Sequence, residues 1–278
     1  MSYSHRVGAG QVLPVSPRST HEPAPLPRRG LPAVATPPAK GPRAMPLTRR
    51  YEAAWFAPSG EVLESTRLAP ATALFEEAFS ALARGSVIAT EAGPVAVEDL
   101  VPGMRALTAE GGVQTITWVG SMVLYPNSAP GGATLGGSEP VALTRITAEA
   151  FGEGRPASDI VLGPRARLCL RDRRLKRATG LDVAFVPARA FIDGVSVIEV
   201  MPAAPVTLYH LILERHGALK LAGLEIEAFH PGEGVERMIE PRMLSLFAAQ
   251  FPQLERLADF GKLAHPRLTR FEVESLWD

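Results

Sequence analysis

Between Val87 and Glu214 the apolar residues come in short runs, each closed by Gly, Pro or polar residues, and this punctuation constrains the fold more than anything else in the chain. Ser86–Thr90, Gln114–Val119, Ser158–Leu162, the alternating Ala166–Leu170, Asp182–Val186, Val195–Met201 and Val206–Glu214 all read as strands. No helical pattern intervenes regularly between them, so a doubly wound parallel sheet is disfavoured. The reading is mainly β, with helices confined to the flanks and no internal repeat strong enough to define an array.

The flanks differ from the middle. Residues 1–48 hold ten of the 26 prolines and no periodic apolar face, which predicts a disordered Pro/Arg-rich tail. Pro25-Leu-Pro-Arg-Arg within it is a weak match to a Pro-rich groove ligand. Tyr51–Phe56 and Val62–Leu68 flank Pro58-Ser59-Gly60 and predict a hairpin. Pro70 suits the first turn of a helix. Phe75, Phe79 and Leu82 follow at helical spacing, with Glu76 and Glu77 facing out. Asn127–Glu139 is a Gly/Ser-rich loop. At the far end Leu244, Phe247 and Phe251 make one helical stripe. Pro252 restarts a second helix through Leu254 and Leu257, closed at Gly261. The predicted divisions are a tail at 1–48, a hairpin plus helix at 49–80, a β domain at 81–235 and a C-terminal helical extension at 236–278.

Composition excludes several classes. A hydrophobic content of 46% supports a real core. The one cysteine, Cys169, excludes an intramolecular disulfide framework and a multi-thiolate zinc site, and reads as a small core residue. No apolar run approaches a bilayer span, and the N-terminus lacks the apolar stretch of a signal peptide. A cytoplasmic protein without membrane association is therefore favoured. Net charge is zero, but eight Lys/Arg against one acid leave residues 1–50 at +7 and the other 228 residues at −7. A basic tail can meet an anionic surface. Apart from Tyr3 it has no aromatics for base stacking, so no nucleic-acid partner is expected.

One stretch carries chemistry by what it lacks. Ala81–Met104 reads ALARGSVIATEAGPVAVEDLVPGM. Gly85, Ser86, Ile88, Ala89, Thr90, Gly93 and the corner Val97-Glu98-Asp99-Leu100-x-Pro102-Gly103 resemble the opening of a Hint (Hedgehog/intein) domain of the bacterial kind. Further on, Asp159–Leu170 (DIVLGPRARLCL) resembles the family's Pro-x-His corner through Leu162, Pro164, Arg167 and Leu168. Val206–Gly232 resembles its closing segment through His210, Glu214, His216, Gly223 and Glu227. The resemblance covers roughly residues 75–235 and implies a compact Hint-type β fold with flanking short helices and a C-terminal helical pair.

The same resemblance implies self-cleavage by acyl shift: a thiol or hydroxyl attacks the preceding carbonyl, and a histidine protonates the departing amide nitrogen. Here the nucleophile position is Ala81 and the block histidine position is Ala166. Ser80 is one residue early and Ser86 five late, the latter matching a turn position. Arg165 and Arg167 stay protonated and cannot serve as acids. Ala222 stands where the resemblance expects Asn. These positions imply a catalytically silent member acting as a folded interaction or scaffold module, with a self-processing autoprotease using an unusual nucleophile as the alternative. An ordinary Ser-His-acid hydrolase is a more distant third reading. Ala81, Ala166 and the His210/His216 strand are expected to converge on one site.

No cofactor is implied. His210, His216 and His230 invite a metal reading, but on an extended strand His210 and His216 lie roughly 20 Å apart, so no metal site is expected. Glu214 and His216 share a face and could pair. Gly131-Gly132 and Gly136-Gly137 lack the Lys-Ser/Thr of a phosphate loop. Arg171–Arg177, with five positive charges in seven residues, reads as a solvated hairpin tip. A protein partner is possible; its identity and the oligomeric state are not legible.

Overall fold

The N-terminal hairpin forms where the turn residues place it. β1 (Thr48–Phe56) and β2 (Val62–Pro70) pair antiparallel from Thr48↔Pro70 to Phe56↔Val62. The computed structural model describes residues 47–126 and 141–277, all within one compact unit spanning 45–278. The expectations for residues 1–46 and for the loop at 127–139 lie outside the described residues. Thr48, assigned above to the tail, is already strand, and the Leu47 carbonyl accepts from Ala71 N–H at 2.7 Å.

The helix after the hairpin is shorter than its spacing suggests. Pro70 ends β2 instead of opening the helix, and α1 covers only Ala73–Glu77. Phe79 lies beyond it and Leu82 belongs to β3 (Leu82–Ala83). The apolar spacing reflects burial, not one continuous helix: Phe75, Phe79 and Leu82 are all fully buried, the two phenylalanines in one apolar cluster and Leu82 in another. Glu76 and Glu77 do not face open solvent. Glu76 pairs with Arg49 at 2.9 Å, and Glu77 pairs with Arg167.

β4 (Val87–Thr90), β5 (Gly93–Ala96) and β6 (Arg105–Leu107) lead into β7 (Val113–Leu124), the spine of the molecule. Its near-strict alternation puts Gln114, Ile116, Trp118, Met122 and Leu124 inside. β7 pairs with β6 at its start, then with β1 on one side and β13 (Val206–Leu213) on the other. Between β7 and β13 in sequence lie β8 (Leu143–Ile146), β9 (Ile160–Leu162), β10 (Arg167–Leu170), β11 (Ala184–Pro187) and β12 (Val197–Val200). β14 (Ala218–Leu221) and β15 (Leu224–Glu227) complete an antiparallel network of fifteen strands among the described residues. The fold is mainly β, as the punctuation required.

Two helical expectations need correction. Arg171–Arg177 is not a hairpin tip: Asp172 caps α2 (Arg173–Thr179) by accepting from Arg174 N–H at 2.6 Å, and Gly180 ends it at φ +77°. Leu175 supplies the buried contact that holds this basic helix down. The C-terminal pair is one α-helix and one 3-10 turn. After the short α3 (Val235–Met238), α4 spans Pro241–Ala248, and the second member is only Leu257–Phe260, ended by Gly261. A further short helix, α5 (Arg270–Glu274), starts at a Thr269/Glu272 capping box.

These terminal segments are built into the core. Phe247, Phe251 and Phe260 pack with Tyr51, Phe75, Phe79, Trp118 and Phe229 in one apolar cluster. The Trp118 indole N–H donates to the Gln250 carbonyl at 3.0 Å, satisfying the polar end of a fully buried ring. A second cluster, which includes Ala81, Leu82, Ile88, Leu162, Ala166 and Ile226, fills the space beneath the opening motif. No helix among the described residues is long and apolar enough to cross a membrane.

Candidate functional site

The peptide between Ser80 and Ala81 is held from two sides by backbone. Ala81 N–H donates to the Tyr209 carbonyl at 3.0 Å, and the Ala81 carbonyl accepts from Gly163 N–H at 2.8 Å. The Ser80 carbonyl accepts from Arg165 N–H at 3.2 Å. A glycine is required opposite, because a Cβ at Gly163 would sit 2.1 Å from the Ser80 oxygen. Ala166 follows Arg165 directly, so chain geometry keeps the Ala81 and Ala166 alpha carbons within about 11 Å. Both methyl groups are buried in the same apolar cluster.

The hydroxyls near this peptide are engaged or displaced. Ser80 Oγ donates to the Glu76 carbonyl at 2.6 Å, across one helical turn. Ser86 sits in the turn between β3 and β4, where its N–H donates to the Ala83 carbonyl and its own carbonyl accepts from Val97 N–H. Its Oγ is buried without a partner. Cys169 lies in a separate cluster with Phe185 and Ala218, and burial pushes its thiol up to about 12.

His210 is brought to the site. β13 pairs with β3 through Leu208↔Ala83 and Tyr209↔Leu82, and one step further sets His210 beside Ala81. Its Nδ1 lies 2.8 Å from the Glu77 carbonyl and its Nε2 3.3 Å from the Glu227 carbonyl. Two carbonyls favour an imidazolium, but complete burial outweighs them and holds the ring neutral, with its pKa lowered to about 4. The shorter contact assigns the proton to Nδ1.

His216 corrects the strand geometry used above. β13 stops at Leu213, and the chain turns before β14, so His216 sits in the turn and not 20 Å along a strand. A register shift at Ile212/Leu213 begins that bend. His216 accepts from Ala264 N–H at Nδ1, while Nε2–H faces the Ala228 carbonyl at 3.1 Å and Glu227 Oε1 at 3.2 Å. Its charged partner is therefore Glu227, not the sequence neighbour Glu214. The His216 ring packs against His230 with centroids 5.0 Å apart. His230 accepts from Gly232 N–H at Nδ1, and burial, then the neighbouring His216, lowers its pKa to about 4. No group of three or more metal-binding side chains forms among the described residues.

Sequence reasoning named Glu227 only as a match to the family's closing segment and missed its place at the centre of this arrangement. Glu227 is 2% exposed and carries a charge inside the protein. Burial alone would raise its pKa, yet the His216 hydrogen bond and the guanidinium groups of Arg267 and Arg167 overcome that and hold it at about 2. Arg267 Nε lies 2.8 Å from Oε1 and Arg167 Nη1 3.5 Å from Oε2. Arg267 also donates to the His230 carbonyl at 2.7 Å. The signal available in sequence was Glu227 itself, one of two acids in the short strand Leu-Glu-Ile-Glu; Arg267 gave none.

The chain is similar to the solution structure of a bacterial intein-like domain from Clostridium thermocellum, at 13% identity and a TM-score of 0.36, over 54% of this chain and 99% of that one. No curated protein matches the chain. The model of the Hint domain matches residues 80–233, from Ser80 through the turn after His230 and across more than half of the sequence. The chain belongs to the Hint domain family.

Proposed function

We propose that this chain is a Hint domain without self-cleavage chemistry, retained as a folded interaction module. The observation that carries the reading is the Ser80–Ala81 peptide. Its carbonyl is held by Arg165 N–H, as an attacked carbonyl would need to be, while the side chain beside it is a buried methyl. Two groups that could replace the missing nucleophile are otherwise engaged. The Ser80 hydroxyl is committed to Glu76, and the Cys169 thiol is protonated in another cluster. The acid is missing as well: Ala166 has no proton to give, and neutral His210 directs its N–H at a carbonyl. General acid assistance is typically worth about 10²–10⁴-fold, so either loss alone would slow an acyl shift severely.

Hydroxylamine tests the reading, because it cleaves any ester or thioester that forms along the backbone. The purified chain is expected to remain uncut. Cleavage on either side of Ser80 would replace this reading with that of an autoprotease using a non-standard nucleophile.

A further inference from the structure

The charges of α2 (RRLKRAT) are not balanced within the helix. Leu175 is buried, so Arg173 and Arg177, two positions to either side of it, lie on the exposed crest one turn apart. Like charges at that spacing, with Cβ atoms about 5–6 Å apart, destabilise a helix. The acids nearby are committed elsewhere. Asp172 caps the helix, Asp182 pairs with Lys176 at 2.6 Å, and Glu225 pairs with Arg171 at 3.1 Å. Arg173 and Arg177 have no ion-pair partner among the described residues. The fold then adds an aromatic that α2 itself lacks. Trp277, just after α5, is 45% exposed, and the Arg174 guanidinium carbon lies 5.6 Å from its ring centroid. That distance is within the range of cation–π attraction. Phe191 meets the same ring edge-on, with centroids 5.9 Å apart. The indole is braced by two neighbours and still presents nearly half its surface to solvent.

We propose that this surface binds single-stranded nucleic acid, with phosphates on Arg173 and Arg177 and a base stacked on Trp277. Guanidinium groups match phosphate oxygens in pairs, and an aromatic face accepts any base. The N-terminal tail has positive charge but, apart from Tyr3, no aromatic; the α2 surface has both. An anionic membrane fits less well. The one large apolar side chain of α2, Leu175, is buried, which leaves no face to insert, and Glu272 and Glu274 flank the exposed Phe271. A phosphorylated peptide would engage the arginines and leave Trp277 unused. The surface does not include the Ser80–Ala81 peptide, and binding here does not depend on whether that peptide is inert.

Fluorescence anisotropy of labelled oligothymidylate and oligouridylate on the full chain tests this, over a range of salt. Binding of either strand is expected, and the ratio of the two distinguishes DNA from RNA. Trp277→Ala is expected to weaken binding at least about fivefold, and Trp277→Phe to keep most of it. Arg173→Ala/Arg177→Ala is expected to weaken binding and to lower the slope of log affinity against log salt by about 1.4, about 0.7 for each phosphate lost. Its melting temperature should be unchanged or higher, because a like-charge pair is relieved. No binding at low salt would overturn the proposal. So would binding that neither the Trp277→Ala nor the double arginine variant alters, which would place it on other cations such as those of the tail. Equal binding of a closed duplex, or displacement by a phosphoserine peptide of equal charge as readily as by a second strand, would show charge attraction without stacking and would overturn it too.

Discussion

At Gly163 the site tolerates no side chain at all. Added there, a Cβ would meet the Ser80 carbonyl oxygen at 2.1 Å and its carbon at 2.7 Å, both backbone atoms that cannot rotate away. Gly163→Ala is therefore expected to destabilise the fold by about 1–3 kcal/mol, the usual range for overpacking. In a chain of this size that is a drop of several degrees in the melting temperature. An unchanged melting temperature would mean that the Ser80–Ala81 peptide is not clamped. Glu227 is the second critical position. Glu227→Gln keeps the shape but leaves the guanidinium groups of Arg267 and Arg167 short of their counter-charge, at a cost of about 3–5 kcal/mol in urea unfolding. A loss below about 1 kcal/mol would show the pair to be solvated like a surface bridge. The alanines at 81 and 166 were legible in the sequence because motif residues surround them. The Glu227 network was not, because its members come from four separate segments and no local pattern links Glu77, Arg167, Glu227 and Arg267.

Among the elements, the β14–β15 turn shows a local choice held by its surroundings. Ala222 and Gly223 form a two-residue connection with φ +47° and +87°, a geometry that favours Asn-Gly. Ala222 is held there because its carbonyl accepts from Ala157 N–H at 2.8 Å, and because Gly154 crosses so closely that a Cβ on Gly223 would lie 2.2 Å from its oxygen. Ala222→Asn relieves part of an αL penalty of about 1–2 kcal/mol and is expected to raise the melting temperature by a few degrees. A lowered value would mean that the loop at 152–157 leaves no room for the amide. The strands were legible because turn residues bound them. Helix lengths were not. Phe75, Phe79 and Leu82 sit at helical spacing, yet the helix ends at Glu77, since each only needs to be buried, the two phenylalanines in one apolar cluster and Leu82 in the other. α2 shows the reverse failure: its charge masked a capped helix whose one anchor is Leu175.

Across the whole molecule, buried histidines tie stability to pH. His210 and His230 titrate at about 4 in the folded state against 6.5 ordinarily, in both cases chiefly through burial. Between those values the unfolded chain takes up protons that the folded chain refuses, so stability rises with pH there. The slope reaches about 1.4 kcal/mol per pH unit for each histidine. Glu227 extends the trend. Held at about 2 against 4.5, it contributes fully above pH 4.5 and loses that contribution as pH falls toward 2. Urea midpoints are expected to hold near neutrality and to fall clearly between about pH 6.5 and about pH 4. A flat profile across that window would mean that both rings are solvated. The large-scale architecture was legible as mainly β. That the C-terminal segment would cover Trp118 and close the core was not, since the Trp118–Gln250 bond joins residues 132 apart in sequence.

The central claim is that the peptide geometry at Ser80–Ala81 is kept while the reacting groups are gone. The most direct test is an intact-mass time course with a small thiol on the native chain, Ala81→Cys and Ala81→Cys/Ala166→His side by side. The native chain is expected to stay at 29.7 kDa. Ala81→Cys should release a fragment ending at Ser80 only slowly, and the added histidine should speed that release, within the range of about 10²–10⁴-fold that a general acid supplies. Release of that fragment from the native chain would contradict the account.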